Sequence, residues 1–219
     1  MPRKSNRKQR PRRSRRPSRA RIVARAKLPT RFGPFTILGV RGNGANEEAA
    51  VLLRGKLSRG KVNSRRAPLV RVHSQCLTGD VFASQRCDCR AQLELALKKI
   101  AAEPAGLLLY LPQEGRGIGL MNKLRAYELQ DRGMDTVEAN EHLGFAADSR
   151  DYAFTAEVLR LLGARRIRLL SNNPDKVQQL QSGGIEVVER VPCQPRIGKL
   201  TLSYLTTKKS KMGHILEGL

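Results

Sequence analysis

What this chain has little of narrows its character first. Its 219 residues include four cysteines, no tryptophan and only 4% aromatic side chains. Four cysteines cannot make a disulfide framework, so they read as metal-binding or catalytic thiols of a reducing compartment. No apolar run approaches the roughly 20 residues that span a bilayer, and none follows the basic start as a secretory signal requires. The expectation is a soluble, cytoplasmic protein without a membrane partner. Residues 1–27 lack acidic side chains altogether and hold 13 Lys or Arg.

That segment therefore carries more than half of the formal net charge of +23. With almost nothing apolar before Ile22, it cannot offset the entropy of ordering, and a disordered basic tail over 1–27 is predicted. Such a tail attracts nucleic acid nonspecifically. An Arg- and Ser-rich start also fits an organellar transit peptide, although Pro2, Pro11 and Pro17 oppose the amphipathic helix of such peptides. Neither property describes the body. At this length the body holds one sizeable core and reads as a single catalytic domain over residues 28–196, followed by a basic, partly mobile segment over 197–219.

Short apolar runs at 35–40, 49–54 and 69–73, separated by Gly, Asn and basic turns, predict strands. Leu93, Leu97 and Ile100 recur at helical spacing, and "LLLYL" after Gly106 reads as a buried strand. Leu120, Leu124 and Tyr127 predict a helix over 118–132 ending near Gly133, and Phe154, Val158 and Leu162 another over 153–162. From 166 to 189 a strand, the Asn173-Pro174 helix start, Gly183-Gly184 and "IEVVE" compose a βαβ crossover. No internal repeat is present. The fold class is α/β: one domain with a mixed sheet and flanking helices.

Cys76, Cys87 and Cys89 fall within fourteen residues at C-x10-C-x-C spacing. Structural zinc closes its shell with four Cys or His ligands, whereas catalytic zinc keeps three and an open position. Cys193 is over a hundred residues away, so the local count is three, unless His73 completes a closed site. Cys87 and Cys89, two apart, cannot share a helical face and belong on a loop turning into the helix near Ala91, whose N-terminus favours thiolates. Ordinary buried cysteines are the alternative, although "RCDC" is flanked by charge.

Gly115, Gly117 and Gly119 in "QEGRGIGLMNK" let the backbone approach a ligand, and Arg116 adds a guanidinium suited to phosphate. The G-K-[ST] ending of a Walker loop is missing, and so is Rossmann glycine spacing. Ser171 and Lys176 at the crossover helix make a plausible anion site, the alternative being a plain capped helix with a solvated lysine. "ANEHLGFAADSRD" reads as a loop carrying His142, Asp148, Arg150 and Asp151, candidates for acid/base or charge-stabilising work, or for capping the next helix.

Three runs, "RVHSQCLTGDVFASQRCDC", "QEGRGIGLMNKLRAYELQDRGMDTVEANEHLGFAADSRDY" and "SNNPDKVQQLQSGGIEVVERVP", resemble GTP cyclohydrolase II, the zinc enzyme that opens the guanine ring of GTP towards riboflavin. The resemblance runs from about Lys27 to Pro192 and returns in "YLTTKKSKMGH". It implies that Cys76, Cys87 and Cys89 bind Zn2+, that Tyr127 orients or protonates the opening ring, that Asp148 is the proton acceptor and that Arg150 acts at the α-phosphate. The implied GTP contacts are Arg71, Val72, His73, Ser74, Gln75, Gln92, Glu114, Gly115, Arg116, Thr136, Ser171 and Lys176, with Glu114 reading the guanine edge. Mg2+ on the triphosphate and a homodimer are implied as well. Gln75 stands where the family often has Glu, Ser171 where Thr is usual, and Met134 where a larger side chain is expected. The last departure motivates a variant that keeps the formyl group or serves a secondary pathway. A zinc-bearing nucleic-acid-binding protein is the rival from another class. No butanone phosphate synthase motif is read in these 219 residues, and the stand-alone form is the expectation.

Overall fold

The computed structural model describes residues 20–195 together with 209, 210, 213, 215 and 216. Its centre is the run that the sequence marks most strongly: β7 (Gly106–Leu111), buried along nearly its whole length. Because side chains alternate across a sheet, Leu107, Leu109 and Leu111 enter one core layer and Leu108 the other. β7 pairs antiparallel with β3 (Glu48–Arg54) and parallel with β6 (Leu69–Ser74), so the sheet changes character at this strand.

On the antiparallel side lie β2 (Gly33–Arg41) and the edge strand β1 (Arg21–Thr30). On the parallel side lie β8 (Arg166–Leu170) and β9 (Glu186–Val191), giving seven strands in the order β1-β2-β3-β7-β6-β8-β9. A two-strand hairpin, β4 (Leu57–Ser58) with β5 (Lys61–Val62), stands apart. α5 (Ala153–Leu161) and α6 (Pro174–Ser182) cover one face with Ala156, Leu159 and Leu180. α2 (Cys89–Ala101) covers the other with Ala96 and Ile100. The mixed α/β class and the β8-α6-β9 crossover are as expected, β8 and β9 being parallel.

Three boundaries need correction. The basic segment does not stay unstructured to residue 27, because β1 begins at Arg21 and its backbone satisfies β2 by hydrogen bonding while its side chains stay mostly exposed. Composition weighs the side chains and misses the ladder. The predicted helix over 118–132 is α3 (Leu120–Asp131), delayed by a 3-10 turn at Glu114–Gly117 and by Gly119, whose φ of 86° is not helical. The run beginning "ANEH" is not a loop throughout: α4 (Thr136–His142) occupies its start, closed by a capping box in which Asp135 and Glu138 exchange hydrogen bonds with each other's backbone. The expected mobility of 197–219, and residues 1–19 of the tail, lie outside the described residues except for the five positions near the C-terminus named above.

Candidate active site

β6, β7 and β8 run parallel, and their carboxyl ends open onto one cleft of roughly 1090 Å³ including its mouth. Ligands favour this end of parallel sheets because loops and helix starts converge there. Ser74 to Cys76 leave β6, Gln113 to Arg116 leave β7, and Ser171 to Asn173 leave β8, all lining the cleft. Of the metal, catalytic and GTP-contact residues that the resemblance implies, all but Val72 and Asp148 line it, whereas the further candidates Gly117, Gly119, His142 and Asp151 do not.

One wall carries the thiols. The ligand atoms of Cys76, Cys87 and Cys89 lie within 4.8 Å of one another, and the Cys76 and Cys87 sulfurs are 3.7 Å apart. Zinc bound tetrahedrally at about 2.3 Å holds neighbouring sulfurs roughly 3.8 Å apart, so these residues fit the ion. α1 (Leu77–Asp80) follows Cys76, and Cys89 opens α2. Gly79 of α1 makes the approach possible: a Cβ there would stand 2.8 Å from the Cys87 sulfur and 3.2 Å from that of Cys76. Hydrogen bonds from Cys87 and Cys89 and, to a lesser degree, the charge of Lys123 pull the Cys76 pKa down. The Cys87 thiol is pushed up to about 11 by the neighbouring Cys76, and Cys89 is raised too.

His73 does not close the set. Its Nε2 faces both carboxylate oxygens of Asp80 at 3.1 Å, and among the described residues the three thiols form the metal-capable group. Asp80 also accepts from Tyr110 OH at 2.9 Å and from the Cys76 backbone N–H at 3.0 Å, tying β6, β7 and the thiol loop together. Burial holds the His73 pKa below its ordinary value despite the Asp80 hydrogen bond.

A second group of lining residues, Arg71, Arg150 and Lys176, is cationic. Lys176 of α6 is 4% exposed and donates to the Val72 carbonyl at 2.8 Å, which is how Val72 contributes without lining the cleft. Burial pushes its pKa well down, and the charges of Arg71 and Arg150 add to that. Asp148 grips Arg150 through both carboxylate oxygens, Oδ1 to Nε at 2.8 Å and Oδ2 to Nη2 at 2.5 Å. Burial works against ionisation of Asp148, yet the Arg150 guanidinium prevails and its pKa lies below the ordinary value. Asp151 accepts from the Ala153 N–H at 2.7 Å, so it serves the helix start, and His142 is exposed at the end of α4. Ser171 Oγ accepts from Asn173 N–H at 3.1 Å within the turn into α6. Met134 does not line the cleft.

Three buried polar atoms of cleft residues have no protein partner: Arg71 Nε, His73 Nδ1 and Arg116 Nη2. Buried groups of this kind are normally satisfied, so a site with several left over is shaped for a polar ligand. Arg116 is also held at a φ of 59°, between glycines at 61° and 92°, a left-handed turn that costs a non-glycine residue about 1–3 kcal/mol. Glu114 arrives at the cleft already engaged: Leu77 N–H donates to it at 2.6 Å, Lys123 Nζ at 2.8 Å and Gly115 N–H at 3.0 Å.

Sequence reading missed Lys123, Thr78, Gly79 and Asp80. Lys123 had a legible signal, since it lies four residues before Tyr127 on α3 and must share its face. The other three had none, because their roles depend on which strand or sulfur folds against them.

Residues 20–192 match the GTP cyclohydrolase II sequence profile. The riboflavin biosynthesis protein RibBA of Bacillus cereus is 54% identical over 190 residues, which are 87% of this chain and 47% of the relative. A riboflavin biosynthesis protein of Vibrio vulnificus is 53% identical over 190 residues, 87% of this chain and 50% of its own. The chain thus spans about half the length of the curated relatives it matches. Among solved structures, the two-domain 3,4-dihydroxy-2-butanone 4-phosphate synthase RibBX of A. baumannii aligns with a TM-score of 0.37 and 17% identity, covering 69% of this chain and 34% of that one. The profile match runs from the edge strand to the end of the last one and encloses the thiols and the cleft, and the chain belongs to the GTP cyclohydrolase II family.

Proposed function

We propose that this chain hydrolyses GTP, opening the imidazole ring of guanine and releasing formate and pyrophosphate to leave 2,5-diamino-6-hydroxy-4-(5-phosphoribosylamino)pyrimidine, an entry step of riboflavin biosynthesis. The observation that carries the reading is one cleft lined both by a three-thiol cluster and by Arg71, Arg150 and Lys176. Such a cleft suits a molecule with a hydrolysable ring at one end and a polyphosphate at the other.

Cys76, Cys87 and Cys89 would hold zinc, which when bound supplies a water acidified to near neutrality, the nucleophile that ring hydrolysis needs. Arg71, Arg116 and Lys176 bind the triphosphate, and their charges become partnered when it arrives. Arg150 faces the α-phosphate. A guanidinium remains protonated and is a poor nucleophile, so its work is to stabilise charge as pyrophosphate leaves. Asp148, ionised beside it, fixes its orientation and is the acceptor for a proton. Tyr127 stands at the thiol end, over the reacting ring. Glu114 is the sole carboxylate among the described cleft-lining residues and is already bonded to Lys123, so Mg2+ enters with the triphosphate rather than on a protein cage. Gln75, Gln92 and Thr136 complete the substrate wall. A cytoplasmic homodimer is the form in which this activity is expected.

The test is turnover of GTP by purified protein with zinc and magnesium, resolving formate, pyrophosphate and the pyrimidine by mass. Equal amounts of all three support the reading. Pyrophosphate with a formylated pyrimidine assigns the chain to the variant chemistry, and no turnover overturns both. Cys87→Ser removes one thiolate ligand, so zinc content and formate release should fall together to background. Full turnover in the zinc-free variant would sink the metal role.

A further inference from the structure

Tyr127 has one neighbour within hydrogen-bonding reach among the described residues, Thr78 Oγ1 at 3.2 Å. Either oxygen could donate, and which one does decides where the phenolic proton points. Lys123 resolves this. Its Nζ is buried in the wall of the cleft and has three hydrogens to give, no lone pair to offer, and three acceptors in reach: Glu114 Oε1 at 2.8 Å, Thr78 Oγ1 at 2.9 Å and Cys76 Sγ at 3.2 Å. The ammonium is therefore fully committed, and Thr78 must accept from it.

A hydroxyl that accepts from a cation is polarised to donate its own proton elsewhere. Thr78 has two outlets, Tyr127 OH at 3.2 Å and Cys76 Sγ at 3.7 Å. The sulfur is the farther and already receives Lys123. The nearer Tyr127 oxygen is the acceptor that this geometry favours for the Thr78 proton. Having accepted there, Tyr127 keeps its own O–H for the cleft that its ring lines.

We infer that Thr78, polarised by Lys123, is a positioning residue that turns the Tyr127 hydroxyl into a hydrogen-bond donor aimed at the substrate. The inference rests on the cyclohydrolase reading for its kinetic consequence but not for its geometry. Lys123 and Tyr127 share a face of α3, while Thr78 comes from α1 beside Cys76, so the relay also ties the orientation of the tyrosine to the thiol loop.

Thr78→Val keeps the shape and removes the hydroxyl, and Thr78→Ser restores it. We expect Thr78→Val to lower kcat about tenfold with KM within twofold and zinc content unchanged, and Thr78→Ser to recover most of the rate. Combined with Tyr127→Phe, Thr78→Val should cost nothing further, because both changes remove the same donor. A multiplicative loss in the double variant, or full activity in Thr78→Val, would overturn the inference. So would a rate loss that tracks lost zinc.

A second readout needs no turnover. The tyrosine Fermi-doublet ratio in Raman spectra distinguishes phenols that accept from those that donate, and subtracting the Tyr127→Phe spectrum isolates Tyr127. The difference should show an accepting phenol in the native protein and lose that character in Thr78→Val. An unchanged doublet would defeat the inference even if the native protein hydrolyses GTP. Native protein that leaves GTP intact while the doublet shifts as expected would instead defeat the cyclohydrolase reading alone.

Discussion

Gly79 illustrates how one missing methyl group organises the site. Two sulfurs and the Cβ of Cys89 crowd around it, and an added Cβ would press the Cys87 sulfur at 2.8 Å, Cys89 Cβ at 3.1 Å and the Cys76 sulfur at 3.2 Å. In Gly79→Ala the thiols must spread, so zinc affinity should fall about 10- to 100-fold, the usual cost of disturbing the support of a metal ligand. Competition with a chromogenic chelator reads this directly. Unchanged affinity would mean that the thiol loop can shift without loss. Asp80 is the polar counterpart: it bonds a strand histidine, a tyrosine from the next strand and the Cys76 backbone at once. Lys123 is another such case. At this scale the three cysteines were legible because thiols are rare here and closely spaced, while their supports are ordinary residues made special by proximity.

Among the elements, α4 shows local chemistry outweighing a compositional impression. Its "DTVE" start closes a capping box, with Asp135 accepting from Val137 N–H at 2.7 Å and Glu138 N–H at 3.1 Å. That cap brings Thr136 and the buried Asn140 to the cleft. Asp135→Ala should cost about 1 kcal/mol and lower the melting temperature by roughly 2–4 °C for a chain of this size. Calorimetry with and without GTP would show a larger gap in the liganded form, since α4 also presents Thr136. A melting temperature equal to that of the native chain would show that packing alone holds the helix. β1 teaches the converse: its exposed, basic residues give no amphipathic signal, and its pairing with β2 is a backbone affair. Such a strand is invisible to any reading based on side-chain patterning.

For the molecule as a whole, charge and chemistry are segregated along the chain. The segment before β1 carries the densest positive charge, and the cleft lies at the carboxyl ends of the central strands. Deleting residues 1–19 should leave kcat and KM for GTP within about twofold. The same deletion should sharply weaken retention on a polyanion column and flatten its salt dependence, since every phosphate that the tail neutralises adds nearly one unit of slope. If turnover falls when the tail is removed, the segment reaches the active site. Retained polyanion binding would place the nucleic-acid contact on the body instead.

The sequence by itself determined the thiol triad, the βαβ crossover, the glycine-rich turn and the family, because these are set by residue type and short spacing. It could not determine that Glu114 meets the thiol loop through Leu77 N–H and Lys123, that His73 turns to Asp80 instead of to the metal position, or that Lys176 reaches across to β6. Those partners are separated by up to about a hundred positions in the chain. Only the pairing of parallel strands, which brings the ends of β6, β7 and β8 to one edge, sets the distances from which their charges and hydrogen bonds follow.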